Sequence, residues 1–256
     1  MTFFGAFLRQ LGGWIAVADL IALMAELGLD AQAVRSSVSR LKRRGVIASE
    51  RRAGAAGYRL TERGEAILRA GDARIFGRLG GPGRPAVSGR PGGPDWVLVV
   101  FSIPEAQRAL RHRLRTGLAG LGLGTVAPAV WIAPAPLEDE VRRLVDELGL
   151  ADRVDLFSAD PLTADPARWW DLDAIAAEYR GYLAAWEPRL GAPGGFAEHI
   201  RHLDAWRRIP FHDPGLPADA LPPDWPGEHA WAVFGELDRR LAPAALAHVR
   251  ATISPT

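Results

Sequence analysis

The sequence predicts an α+β protein in three consecutive parts: an N-terminal winged helix-turn-helix, a middle ferredoxin-like βαββαβ domain and a C-terminal helical domain. Three observations predict this. Residues 30–60 join a basic amphipathic helix to an alternating hairpin. Residues 96–158 run strand, helix, strand, strand, helix, strand, the order of the split β-α-β arrangement. From about residue 166 the large apolar residues recur at helical spacing. The boundaries are placed at 1–78, 79–95, 96–165 and 166–256.

In the first part, Phe3 to Leu11 reads as a helix ended by Gly12-Gly13, glycines being suited to leaving a helix. Trp14-Ile15 is a short strand, and Leu20, Ile21, Met24 and Leu27 stripe a second helix that turns at Gly28. Asp30 caps a third helix, its carboxylate accepting from the free amides of the first turn, and Gly45 ends it. Val46 to Arg52 alternates like a strand, Ala53 to Gly57 reads as a small flexible tip, and Tyr58 to Leu60 returns. Thr61 caps a fourth helix running to about Arg78. Glycine and proline then dominate residues 79–95, a linker with almost nothing to bury.

The middle part opens on Trp96 to Phe101, a continuous apolar run suited to a central strand. Leu110, Leu114, Leu118 and Leu121 mark one helix, and Leu137, Val141, Leu144 and Leu148 the other. Thr125 to Ala127, Val130 to Ala133 and Val154 to Phe157 complete the strands. In the last part Leu172, Ile175, Tyr179, Leu183, Trp186 and Leu190 keep helical spacing, as do Phe196, Ile200 and Leu203. A proline-rich passage from Asp213 to Gly227 precedes a final helix near Ala230 to Ala251.

Composition narrows the function. With 256 residues and 48% hydrophobic content the chain can bury a sizeable core. It has no cysteine, which excludes disulfides, thiol catalysis and thiolate metal sites and suits a reducing cytoplasm. No apolar run approaches the roughly 18 residues that span a bilayer, and no signal peptide is evident, so no membrane partner and a cytoplasmic location are expected. The net charge of +1 hides an asymmetry: residues 1–78 hold 13 Lys+Arg against 7 Asp+Glu, whereas residues 96–256 hold 16 against 22. A basic module on an acidic body is the pattern of a DNA-binding domain joined to a regulatory one.

The third helix carries the sharpest site. Val34, Val38 and Leu41 share one buried face. At 100° per residue the opposite face bears Gln32, Ser36, Ser39 and Arg43, flanked by Arg35 and Arg40, with no carboxylate. Arginine and glutamine read base edges in a major groove, and serine reaches phosphates. Arg51 and Arg52, at the base of the hairpin, are placed for phosphates. Double-stranded operator DNA is therefore the expected partner. His199, His202, Asp204, His212 and Asp213 are metal-capable types in a short span, but they match no metal motif, and no metal or cofactor is expected. No nucleophile triad, phosphate-binding glycine loop or dinucleotide fingerprint is present.

Gly12-Gly13-Trp14, Gln32 to Leu41, Tyr58 to Gly64, Leu123 to Ile132, Trp170-Asp-Leu172, His202 to Arg207, Asp213-Pro-Gly-Leu-Pro217, Leu221 to Gly227 and Leu241 to Ala245 together give the chain a resemblance to the PaaX family, the repressors of phenylacetic acid degradation. The resemblance runs almost end to end. It implies a homodimeric transcriptional repressor, not an enzyme, with a Cas2-like middle domain. It also implies an aromatic acyl-CoA effector such as phenylacetyl-CoA that releases the operator. The wing tip, Ala53-Gly-Ala-Ala-Gly57, departs from the basic, serine-bearing tip usual in that family. For such an effector Trp131, Tyr179 and Trp186 are candidates to line an aromatic pocket, with core packing as the alternative, and Arg201, His202 and Arg207 to meet coenzyme A phosphates, with surface charge or pairing as the alternative. Two alternatives stand: an effector-independent DNA-binding protein, and a metal-dependent nuclease of the Cas2 type. The nuclease needs a carboxylate at the end of the first middle-domain strand, where Phe101-Ser102-Ile103-Pro104 offers none before Glu105.

Overall fold

A computed structural model describes residues 1–77, 96–159, 165–216 and 218–253. The expected linker 79–95 lies outside them. In chain order the described elements are α1 (Thr2–Ala6), β1 (Trp14–Ala16), α2 (Val17–Ala25), α3 (Ala31–Arg43), β2 (Ile47–Arg52), β3 (Ala55–Leu60) and α4 (Glu62–Ile75). There follow β4 (Trp96–Phe101), α5 (Arg108–Gly120), β5 (Gly124–Ala127), β6 (Val130–Pro134), α6 (Glu138–Leu148) and β7 (Val154–Ala159). The last stretch holds α7 (Leu172–Trp186), α8 (Phe196–Trp206), α9 (Ile209–His212) and α10 (Gly227–Thr252). The protein is mixed α+β with two antiparallel sheets.

Two compact units emerge, and they do not follow chain order. The first comprises Met1–Phe76, Ala184–Trp206 and Ala232–Thr256; the second Gly77–Leu183 and Arg207–Trp231. The reason is packing. Phe196 and Ile200 of α8 and Ala245 and Val249 of α10 are buried in one cluster with Phe3, Phe7, Leu23 and Val38. Composition divides the chain at 78 and 166, but this core is assembled from residues as far apart in the chain as Phe3 and Val249.

In the first unit the expected helix Phe3 to Leu11 is broken. α1 stops at Ala6, Phe7 leaves helical geometry at φ −122°, and a 3-10 turn over Leu8–Leu11 ends at Gly12 in the left-handed region. The Asp30 carboxylate accepts from the Ala33 amide at 2.7 Å, which satisfies a free donor of the first turn of α3. The Thr61 hydroxyl accepts from the Gly64 amide at 2.9 Å to start α4, and it donates to the Gly45 carbonyl at 2.5 Å, tying α4 to the chain leaving α3. A Cβ at Gly64 would run into the Val46 carbonyl, so glycine is required for this close approach.

The sheet of this unit has the order β1-β3-β2. Its hairpin differs from expectation. Ala55, Ala56 and Gly57 are not a flexible tip but paired strand, facing Arg52, Arg51 and Glu50. The turn shrinks to Ala53-Gly54, both at positive φ (46° and 82°), the pattern of a two-residue type I′ turn. Small residues there serve the turn and the Trp14 ring, which a Cβ at Gly57 would strike.

The second unit is built on a four-stranded sheet of order β5-β6-β4-β7, every neighbour antiparallel. With α5 and α6 as crossovers this is βαββαβ connectivity. β4 buries alternate residues Val97, Val99 and Phe101 against Leu114, Leu118 and Val141, so the apolar run serves one deeply buried face and one half-buried face. Trp170 donates to the Gly122 carbonyl at 2.8 Å. The Tyr179 hydroxyl donates to Asp213 at 2.5 Å, whose other oxygen accepts from the Gly215 amide at 2.8 Å.

Candidate nucleic-acid interface

Helix α3 hides Val34, Val38 and Leu41, each below 10% exposed, in the core of the first unit. Its other side is open: Gln32, Arg35, Ser36, Ser39, Arg40 and Arg43 are all exposed. Among the described residues no carboxylate pairs with Arg35, Arg40 or Arg43. Arg40 donates instead to the Ser37 hydroxyl, one turn back, at 3.0 Å. Lys42 and Arg44, exposed beside this face, add to its charge.

The hairpin arginines are also exposed but are held differently. Arg51 donates to the Gly54 carbonyl at 3.0 Å, which leaves its charge uncompensated. Arg52 lies over the Trp14 ring, 5.6 Å from its centroid, and meets Glu50 at 2.5 Å. Arg59 meets the other Glu50 oxygen at 3.0 Å. Glu50 therefore shares its charge between two arginines, and Arg51 is the freer cation of the hairpin.

The six candidate effector residues divide between the units: Trp186, Arg201 and His202 belong to the first, and Trp131, Tyr179 and Arg207 to the second. Trp131 is buried in the core of the second unit, its indole nitrogen without a hydrogen-bond partner among the described residues. Tyr179 is fully buried against Asp213; burial, strengthened by that carboxyl, pushes its hydroxyl well above the usual tyrosine range. Burial likewise raises the Asp213 carboxyl. Trp186 is buried in the first unit beside His202, ring centroids 5.4 Å apart. His202 is fully buried, and burial, reinforced by neighbouring His199, lowers its pKa to about 4. The ring is therefore neutral at pH 7, and Trp131, Tyr179 and Trp186 are, like it, buried. Arg207 is half-buried in the second unit. Arg201 alone among them stands at the rim of a cavity described below.

The metal-capable residues are dispersed among separate partners. His199 meets Asp238 at 2.9 Å, Asp204 accepts from Thr2 at 2.8 Å and His212 meets Glu178 at 2.9 Å. Among the described residues no group of three such side chains converges.

Sequence reasoning missed the cavity. It measures about 510 Å³ and lies within the first unit, behind α3. α1 gives it Phe3 and Phe4, α2 Leu20 and Met24, α3 its inner residues, and α8 Ile200 with Arg201 and Asp204 at the edge. Ser37, the partner of Arg40, also lines it. The i, i+3 spacing of Ser37 and Arg40 was the one local signal available. Of the α8 wall, far away in sequence, only Arg201 is singled out for an effector, and that through the family resemblance. A second cavity, of about 240 Å³, lies in the second unit between the Asp213–Leu216 and Leu221–Gly227 segments.

Comparison with known proteins bears on what this geometry is for. Three PaaX-family models match in succession: the PaaX-like protein model over residues 1–64, the PaaX protein central Cas2-like domain over 91–169 and the PaaX-like protein C-terminal domain over 170–251. The chain is 26% identical over 266 residues to the transcriptional repressor PaaX of Escherichia coli (strain K12), covering 97% of this chain and 81% of that one. Among solved structures it resembles the uncharacterized protein Rv0674 from Mycobacterium tuberculosis, with a TM-score of 0.62 at 24% identity, over 97% of this chain and 95% of the other. That likeness speaks to the fold alone.

Proposed function

The chain belongs to the PaaX family, and from that premise we propose that it is a transcriptional repressor that docks α3 in the major groove of an operator and is released by an aromatic acyl-CoA such as phenylacetyl-CoA. In this reading α2, α3 and the β2–β3 hairpin act as a winged helix-turn-helix. Arg35, Arg40, Arg43 and Gln32 read bases or phosphates, Ser36 and Ser39 bond phosphates, and Arg51 and Arg52 grip the backbone beside the groove. A homodimer places two such helices on a symmetric site, because operator symmetry mirrors protein symmetry.

One observation carries the reading: the exposed side of α3 holds arginines without carboxylate partners among the described residues, while its opposite side is locked into a core. A solvated helix face ordinarily interleaves its charges, and this one does not. The nuclease alternative finds no support here. β4 itself ends on buried Phe101 with no carboxylate, the next acid along the chain, Glu105, is held by Arg111 at 2.6 Å, and Asp155, opposite Val100 on β7, is the other acid at this end.

The test is fluorescence anisotropy of labelled DNA from upstream of the chain's own gene, at about 100 mM salt, with random duplex as competitor. Specific binding by a dimer that phenylacetyl-CoA reverses is the expected result. Absence of specific binding overturns the reading; specific binding untouched by acyl thioesters leaves an effector-independent DNA-binding protein.

A further inference from the structure

We propose that the 510 Å³ cavity behind α3 is the effector's seat: it takes the apolar acyl body of a small amphipathic thioester, and filling it moves α3. The inference rests on the repressor reading above and adds to it the location and the mechanism of release.

The cavity has the size and lining of a small-molecule site, since such pockets run to roughly 300–1,000 Å³ with mostly apolar walls and a few polar groups. The shielding of the walls decides between a small ligand and a docked protein. Phe3 and Phe4 are each 4% exposed, Leu20 is 2% and Val38 is 4%. A surface built to receive another protein would leave such side chains open; here they line the floor of a recess, and only its mouth carries an open apolar side chain, Leu29, at 44% exposure. Exposed Ala33, Ser37 and Ala205 edge that mouth. Arg201, half-exposed and only loosely engaged by Glu198 at 3.9 Å, is the cation at the rim. A ligand with an aryl or alkyl body and a carbonyl-bearing or anionic arm matches this division.

The cavity also has a direct path to DNA. Val34 and Val38, which line it, belong to the helix whose far side carries Arg35, Arg40 and Arg43. Ser37 lines it and holds the Arg40 guanidinium at 3.0 Å. A body wedged between α3 and the pair α1 and α8 displaces the helix outward and withdraws the Ser37 anchor. Close-packed elements respond to such wedging by shifting as units.

The experiment compares wild type with Ala205→Trp, which closes the mouth from an exposed position, and with Arg201→Ala. Each is bound to the upstream DNA and titrated with phenylacetyl-CoA, hexanoyl-CoA, coenzyme A and free phenylacetate. Ala205→Trp is expected to bind DNA within twofold of wild type and to need at least tenfold more acyl thioester for release; Arg201→Ala is expected to need severalfold more. Release of both variants at the wild-type concentration overturns the cavity assignment while leaving the repressor reading intact. Failure of wild type to respond to any thioester removes the effector from the reading and this inference with it. Photolabelling of wild type with a ring-diazirine phenylacetyl-CoA gives an answer independent of the variants' folding. Labels on peptides of α1, α3 or α8 support the assignment, and labels confined to other segments overturn it.

Discussion

On α3, Arg35, Arg40 and Arg43 stand in solvent, whereas on α8 of the same unit His199 and His202 are only 3% and 0% exposed. Both helices mix apolar, basic and hydrogen-bonding residues. The difference lies in what surrounds each polar group. The α3 cations stand exposed with at most the neutral Ser37 hydroxyl beside them, so they keep their charge to meet a phosphate or a base. The α8 imidazoles sit among Phe7, Trp186 and Phe234, where charge is costly; His199 shares Asp238, and His202 gives up its proton. One helix exports its polarity, and the other uses it inside the core.

The largest effect that would sharpen this contrast is a loss of stability in acid. The His202 pKa is about 4 when folded, against an ordinary 6.5. Below pH 6.5 the unfolded chain takes a proton that the native chain refuses, so stability falls as pH falls from 6.5 toward 4. The full shift corresponds to about 3 kcal/mol, at 1.36 kcal/mol per pH unit. Urea denaturation of wild type and of His202→Phe at pH 7 and pH 4.5 isolates the contribution. The variant is expected to show the shallower pH dependence; equal slopes in the two proteins would mean that His202 is protonated in the fold.

Next comes the exported side. Arg40→Ala and Arg43→Ala are each expected to weaken operator binding by roughly 1–3 kcal/mol. Both side chains are exposed, so urea stability should stay within about 0.5 kcal/mol of wild type. Wild-type affinity in both variants would show that the helix docks by another face. A smaller effect, of about 1 kcal/mol on stability, is expected for Asp30→Ala, which removes the acceptor of the Ala33 amide. An unchanged thermal midpoint in that variant would show the cap to be redundant with water.

How much of this was legible in the sequence follows the same division. α3 could be read closely because its signals are local: a cap at Asp30, an exit at Gly45, and Val34, Val38 and Leu41 at helical spacing. Its exposed face was legible for the same reason. The hairpin was misjudged because Ala55 to Gly57 looks like a flexible tip in composition, although backbone pairing with β2 needs no large side chain. Trp131, Tyr179 and Trp186 stay open in the sequence between core and pocket because helical spacing tells that a residue is buried on some face, not what lies across from it. Nothing near Phe196 or Val249 announces that its partners are Phe3 and Val38. The cavity was invisible for that reason too, since one of its walls comes from α8.

The finest test of the contrast lies within the hairpin, between adjacent arginines. A cation that neutralises a phosphate displaces condensed counterions, so its removal lowers the slope of log affinity against log salt by about one. Among the described residues Arg51 is bonded only to a neutral carbonyl, that of Gly54, and has its whole charge to give. Arg52 is already compensated by Glu50 and rests on the Trp14 ring. Drawing it to a phosphate means giving up that pair, which offsets much of what the phosphate supplies. Arg51→Ala is therefore expected to lower the salt slope by nearly one, and Arg52→Ala by clearly less, across operator titrations at several salt concentrations. Equal slopes for the two variants would show that Glu50 releases Arg52 on the duplex and that charge compensation in the free protein does not decide which arginines engage DNA.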